Sequence, residues 1–130
     1  MSTNSAIAVK TFEGYKTIYC HWDGYPSYMY PLLRDYYGSQ ERAEALIALG
    51  DASSLDKRLV PSVGSNHSFC EPEDGVCVFY HRGRGDPSTD CAPAIMTKGE
   101  VLKLQYYSYI FEDGQWKAYQ GGVEVDNYEY

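Results

Sequence analysis

The chain has 130 residues, enough to bury a core of its own and too few for a second domain of ordinary size, so residues 1–130 are expected to form one domain. Hydrophobic residues make up 44% and charged residues 22%, with no run of about 18 apolar residues to cross a bilayer and no basic-then-apolar secretory leader in MSTNSAIAVKTF. Eleven Lys and Arg against eighteen Asp and Glu leave a net charge of −7, which argues against a nucleic-acid or anionic-membrane partner and suits a basic protein partner reached by electrostatic steering.

Residues 5–12 (SAIAVKTF) and 16–22 (KTIYCHW) read as two strands around a turn at Glu13, Gly14 and Tyr15. In the second strand Ile18, Cys20 and Trp22 share one face, with Trp22 expected to anchor the core; Thr17, Tyr19 and His21 share the other. The Asp23-Gly24-Tyr25-Pro26 segment breaks the strand. A short helix is predicted over 27–37, with Pro31 tolerated only in its first turn and Gly38 ending it. Ser39 is a good N-cap for a second helix, with Gly50 past its end, and Ala43, Leu46, Ile47 and Gly50 follow the spacing of a buried face.

Residues 51–75 read as turns and surface loop, 76–81 as a compact strand, and 81–91 (HRGRGDPSTDC) as a loop with almost nothing apolar. Residues 101–111 alternate like one long strand, Asp113-Gly114 marks a hairpin turn and 116–119 the return strand. The acidic tail 121–130 is expected to be loosely held. Strands, helices, loop and strands again predict an α+β fold: an antiparallel sheet of about five strands with two helices packed on one face. In the long strand, Tyr107, Tyr109 and Phe111 then form an aromatic stripe left for solvent or a partner, in a chain with 14 Tyr and only 4 Phe.

Four Cys and three His invite a zinc reading, since His67 and Cys70 are three apart and Cys77 and His81 four apart. On a strand, however, Cys77 and His81 would lie ~13 Å apart, too far to converge on one ion, so no metal and no cofactor are expected. Cys20 and Cys77 read as small buried hydrophobes, while Cys70 and Cys91 are the thiols placed to oxidise. Cys20 and His21 are adjacent and point to opposite sides of a strand, so they make no nucleophile–base pair, and no catalytic residue is assigned. A small hydrolase using His21, Asp23 and His81 is a third-ranked reading.

Two constellations remain. The Arg82-Gly83-Arg84-Gly85-Asp86 loop sets two guanidiniums on a backbone able to approach a phosphate or carboxylate, or else an Arg simply pairs with Asp86 or Asp90. His21, Asp23 and Tyr25 would cluster at the sheet edge near a helix N-terminus; with Arg82 and Arg84 nearby they would hold a small anion or nucleotide, and without them they would lock the strand-to-helix corner.

At Cys20-His21-Trp22-Asp23-Gly24-Tyr25-Pro26 the chain resembles a family of small proteins found in bacteriophages, prophages and some bacterial genomes. The resemblance extends to 46–55 (LIALGDASSL), to 81–86 (where the family usually has Asp and Glu in place of Gly83 and Asp86), and to the terminal hairpin at 109–116. It implies a phage accessory product acting in the host cytoplasm by binding and inhibiting a bacterial protein or complex. Tyr107, Tyr109 and Phe111 are then the expected partner-binding residues, homo-oligomers are admissible, and no membrane or nucleic acid is involved.

Overall fold

The strand β1 (Ser5–Thr11) organises the molecule, and its residues alternate small with large rather than polar with apolar. Ile7 and Val9 point to one face of the sheet, Ala6 and Ala8 to the other, and all four are buried. A strand apolar on both faces must be covered on both faces. The computed structural model, which describes residues 3–59, 74–80 and 92–125, shows both covers. On the Ile7 face lie α1 (Pro26–Tyr36) and α2 (Gln40–Ala48); on the Ala6 face lies α3 (Lys98–Leu104), whose Val101 packs over the two alanines.

The sheet is mixed, with eight strands among the described residues. Beside β1 run β2 (Gly14–Cys20), antiparallel, and β6 (Tyr107–Glu112), parallel. Beyond β2 lie β3 (Ala52–Ser54) and β4 (Val78–Phe79), and beyond β6 lie β7 (Gln115–Gln120) and β8 (Val123–Val125). The outer edge of β2 is shared: Cys20 meets Ala52 of β3, while Tyr15, Lys16 and Thr17 meet β5 (Ala94–Met96).

The α+β class is as expected, but the sheet is neither wholly antiparallel nor limited to about five strands. The two-helix crossover between β2 and β3 returns the chain in the same direction, which makes that pair parallel. The predicted long strand over 101–111 is two elements. Thr97 and Glu100 close a capping box, the Thr97 hydroxyl accepting from the Glu100 amide and the Glu100 carboxylate from the Thr97 amide, so residues up to Leu104 are helical. The first part of the predicted loose tail is strand β8. Gly121 and Gly122, at φ 61 and 84, make the two-residue turn that folds it back on β7.

The local punctuation behaves as its chemistry predicts. The Ser39 hydroxyl accepts the Arg42 amide at 3.1 Å, and Ala43, Leu46 and Ile47 are buried. Asp113 and Gly114, at φ 54 and 79, form the hairpin turn between β6 and β7. Pro26 starts α1, but Pro31 sits inside that helix rather than in its first turn.

Candidate functional site

The Cys20–Pro26 segment is a corner fastened almost entirely by backbone. Strand β2 ends at Cys20, and the amides of His21 and Trp22 donate to the carbonyls of Ala52 and Ser53 at 3.1 and 2.9 Å. Asp23 then takes a left-handed conformation (φ 58), which Asp tolerates better than most residues. Gly24 lies buried between two segments of the chain: its amide donates to Thr3 O at 2.8 Å and its carbonyl accepts the Tyr109 hydroxyl at 2.6 Å. A Cβ there would sit 2.7 Å from Ser5 Cβ and 2.8 Å from Thr3 O. Gly24→Ala is therefore expected to destabilise the fold by about 1–3 kcal/mol, read as a lower melting temperature, with Gly99→Ala, at an open site, as the near-neutral control.

The corner does not gather its polar side chains. His21 faces Tyr19, whose hydroxyl is 2.6 Å from Nδ1, and its ring packs perpendicular to that of Trp22 with centroids 4.8 Å apart. Asp23 is exposed and pairs with neither His21 nor Tyr25, and Tyr25 instead tilts against Tyr28, 6.2 Å away. The His21–Asp23 arrangement that a hydrolase would need is thus not formed. Arg82, Arg84 and His81 lie outside the described residues, as do His67, Cys70 and Cys91.

Two expectations are overturned by burial. Trp22 is not a core anchor but 44% exposed, because β2 stops two residues before it and the chain turns outward along β3. Tyr109 and Phe111 are not a surface stripe but core, lying in register with Ile7 and Val9 beneath α1 and α2. Of the three predicted partner-binding residues only Tyr107 reaches solvent, half-buried in a T-shaped contact with Tyr106, ring centroids 4.9 Å apart.

Cys20 and Cys77 are buried thiols in no disulfide. Burial pushes the Cys20 thiol up to about 12, so it carries no thiolate at neutral pH. Cys77 Sγ accepts the Asp56 amide at 3.2 Å. Among the described residues no group of three or more His, Cys, Asp or Glu is placed to hold a metal ion.

The chain matches no family model, no curated protein and no solved structure. Its own surface is therefore the guide to function. Register places Cys20, Ser5, Tyr107, Gln120 and Val123 in one row across β2, β1, β6, β7 and β8, a span of ~19 Å at 4.8 Å per strand. The exposed Trp22 and Tyr25 lie just beyond one side of this row, and Leu104, Tyr106 and Val123 at the other. Five of the eight large exposed hydrophobic side chains among the described residues thus belong to one end of the sheet. A further one, Phe12, projects at the opposite end, on the β1–β2 turn.

A second cluster escaped the sequence reading. Glu112, on the α3 face of β6, is buried, and its carboxylate accepts from the Tyr15 hydroxyl and from Lys98 Nζ, each at 2.8 Å, with Lys117 Nζ at 3.6 Å. Burial alone would raise the Glu112 pKa, but the hydrogen bonds from Lys98 and Tyr15 and the charges of both lysines outweigh it and leave the carboxyl below its ordinary value. The Glu112 hydrogen bond holds the Lys98 ammonium protonated well above its ordinary range. The adjoining cleft, about 460 Å³, is lined by Gly14, Tyr15, Ile95 and Met96 and opens widely to solvent. Lys98 points across its rim into the ion pair, so the cluster joins α3 to the sheet rather than presenting a reactive group.

Proposed function

We propose that this chain is a non-enzymatic phage or prophage accessory protein that binds a bacterial host protein or complex in the cytoplasm and inhibits it. The observation that carries the reading is the aromatic end of the sheet, where Trp22, Tyr25 and Tyr106 stay exposed although the fold gains nothing from leaving them in water. Trp and Tyr are the side chains most enriched where protein interfaces concentrate their binding energy. The similarity of the CHWDGYP segment to phage and prophage proteins supports the setting, and that segment builds this very end of the molecule. The net charge of −7 favours a basic partner over nucleic acid.

Affinity capture of the tagged full chain from bacterial lysate tests the proposal. A specific host protein should co-purify with the wild type and be lost from the Trp22→Ala/Tyr106→Ala double variant, each ring contributing ~1–2 kcal/mol. Because both rings are surface residues, the variant should melt close to the wild type. Equal recovery of the same partner by both proteins would place the interface elsewhere and count against this reading.

A further inference from the structure

Cations and aromatic rings are distributed unevenly over this molecule. On the helix α1–α2 side, tyrosine rings carry the chain's own cations: Arg34 lies 5.6 Å from the Tyr30 ring, Arg42 5.2 Å from Tyr37 and Lys57 5.8 Å from Tyr36. At the aromatic end of the sheet, no Lys or Arg among the described residues stands over Trp22, Tyr25 or Tyr106. The sequence explains the difference, since residues 17–33, 104–116 and 118–130 contain no Lys or Arg.

The carboxylates follow the same division. At the opposite end, those of Glu112 and Asp113 are paired by Lys98 and Lys117, while Lys10 and Lys16 lie within three residues of the β1–β2 turn. At the aromatic end, Asp23 and Glu124 are exposed and pair with no cation among the described residues. Uncompensated carboxylates beside exposed indole and phenol rings that carry no cation of their own are the two halves of guanidinium recognition. The planar cation stacks on the ring while its N–H fork bonds the carboxylate.

We infer that the aromatic end of the sheet docks on an arginine-rich protein surface, with Trp22, Tyr25 and Tyr106 accepting guanidinium groups that Asp23 and Glu124 help to hold. This rests on the inhibitory reading above and names the chemistry of its partner. A lysine-rich surface would satisfy the charge but not the rings, because a compact, strongly hydrated ammonium stacks less well than a guanidinium. Nucleic acid would stack on the rings but meet unpaired carboxylates.

The test uses the full chain with three probes: an oligoarginine peptide, an oligolysine peptide of equal length and a short single-stranded oligothymidine. Titration followed by tryptophan fluorescence reports on Trp22, because the other tryptophan, Trp116, is buried away from a surface-bound peptide and contributes a constant background. The arginine peptide should bind at least several-fold more tightly than the lysine peptide and change the fluorescence, and oligothymidine should not bind. Calorimetry on Trp22→Ala/Tyr25→Ala/Tyr106→Ala should show the arginine peptide's affinity falling by about tenfold or more, at roughly two- to fivefold per ring. Asp23→Asn, which keeps a residue tolerant of the left-handed conformation, should lower it further, whereas Phe12→Ala at the far end should leave it unchanged. Equal binding of both cationic peptides, indifferent to the ring substitutions, would reduce the effect to bulk charge and overturn the assignment. Binding of oligothymidine lost with the rings would replace it with a nucleic-acid surface. A host protein captured through Trp22 and Tyr106 by a chain that ignores the arginine peptide would overturn the arginine assignment and leave the inhibitory reading standing.

Discussion

Replacing Tyr109 by Ala is expected to destabilise the protein by about 3–5 kcal/mol, enough to unfold much of a domain of ordinary stability at 37 °C. Tyr109 is fully buried in the middle of β6, flanked in register by Ile7 on β1 and Ala118 on β7. Truncation removes a ring from the face on which α1 and α2 rest and opens a cavity that neighbouring strands cannot close. It also leaves the buried Gly24 carbonyl without its 2.6 Å donor. Tyr109→Phe separates the two effects: the ring stays and only the hydrogen bond goes, at about 1–2 kcal/mol. Equilibrium denaturation of both variants makes the measurement, and a Tyr109→Ala protein as stable as wild type would mean that β6 turns this face outward. Any loss of partner binding in Tyr109→Ala would follow from unfolding, whereas Trp22 and Tyr106 can be altered without that confusion.

What was legible in the sequence was punctuation: Ser39 as a cap, Asp113-Gly114 as a turn, Gly50 past a helix end, and Asp23 to Pro26 as a break. These work through a residue's own backbone preferences and survive any tertiary context. Assigning faces failed because it requires knowing what covers a strand. Tyr107, Tyr109 and Phe111 alternate as convincingly as a surface stripe would; the parallel neighbour β1 decides the matter by placing them level with Ser5, Ile7 and Val9. The missed elements did leave signals. The Thr97 to Glu100 capping box announced α3, Gly121-Gly122 announced the β7–β8 turn, and the Ala-large alternation of β1 announced a cover on both faces. Strands β3 and β5, three residues each, are too short to show any periodicity. The Glu112 cluster draws its members from β2, α3, β6 and β7, so no local window of sequence contains it.

That cluster should make the stability of the protein depend on pH at both ends of the scale. The Glu112 side chain is only 6% exposed, and its two lysine partners are 39% and 22% exposed. Because the carboxyl pKa is lowered on folding, its contribution is complete above the unfolded value of about 4.3 and is lost as pH falls through the lower folded value. Lys98 works in the opposite sense: raised on folding, it contributes fully below about 10.4 and the contribution disappears as pH rises through the folded value. Tyr15, raised first by burial and then by its hydrogen bond to Glu112, adds to the alkaline loss. Glu112→Gln keeps the shape and one acceptor but removes the charge that both lysines and the tyrosine address. Near pH 7 it is expected to cost ~1–3 kcal/mol, less than the roughly 3–5 kcal/mol of breaking a fully buried pair, since solvent can take up the partly exposed lysines. Melting temperatures of wild type and variant, measured from pH 2.5 to pH 11, should draw together as pH falls below about 4.3 toward the lowered folded value of Glu112. A gap that stays constant across the acid range would show that the glutamine merely packs badly, and that the carboxylate charge contributes nothing to holding α3 on the sheet.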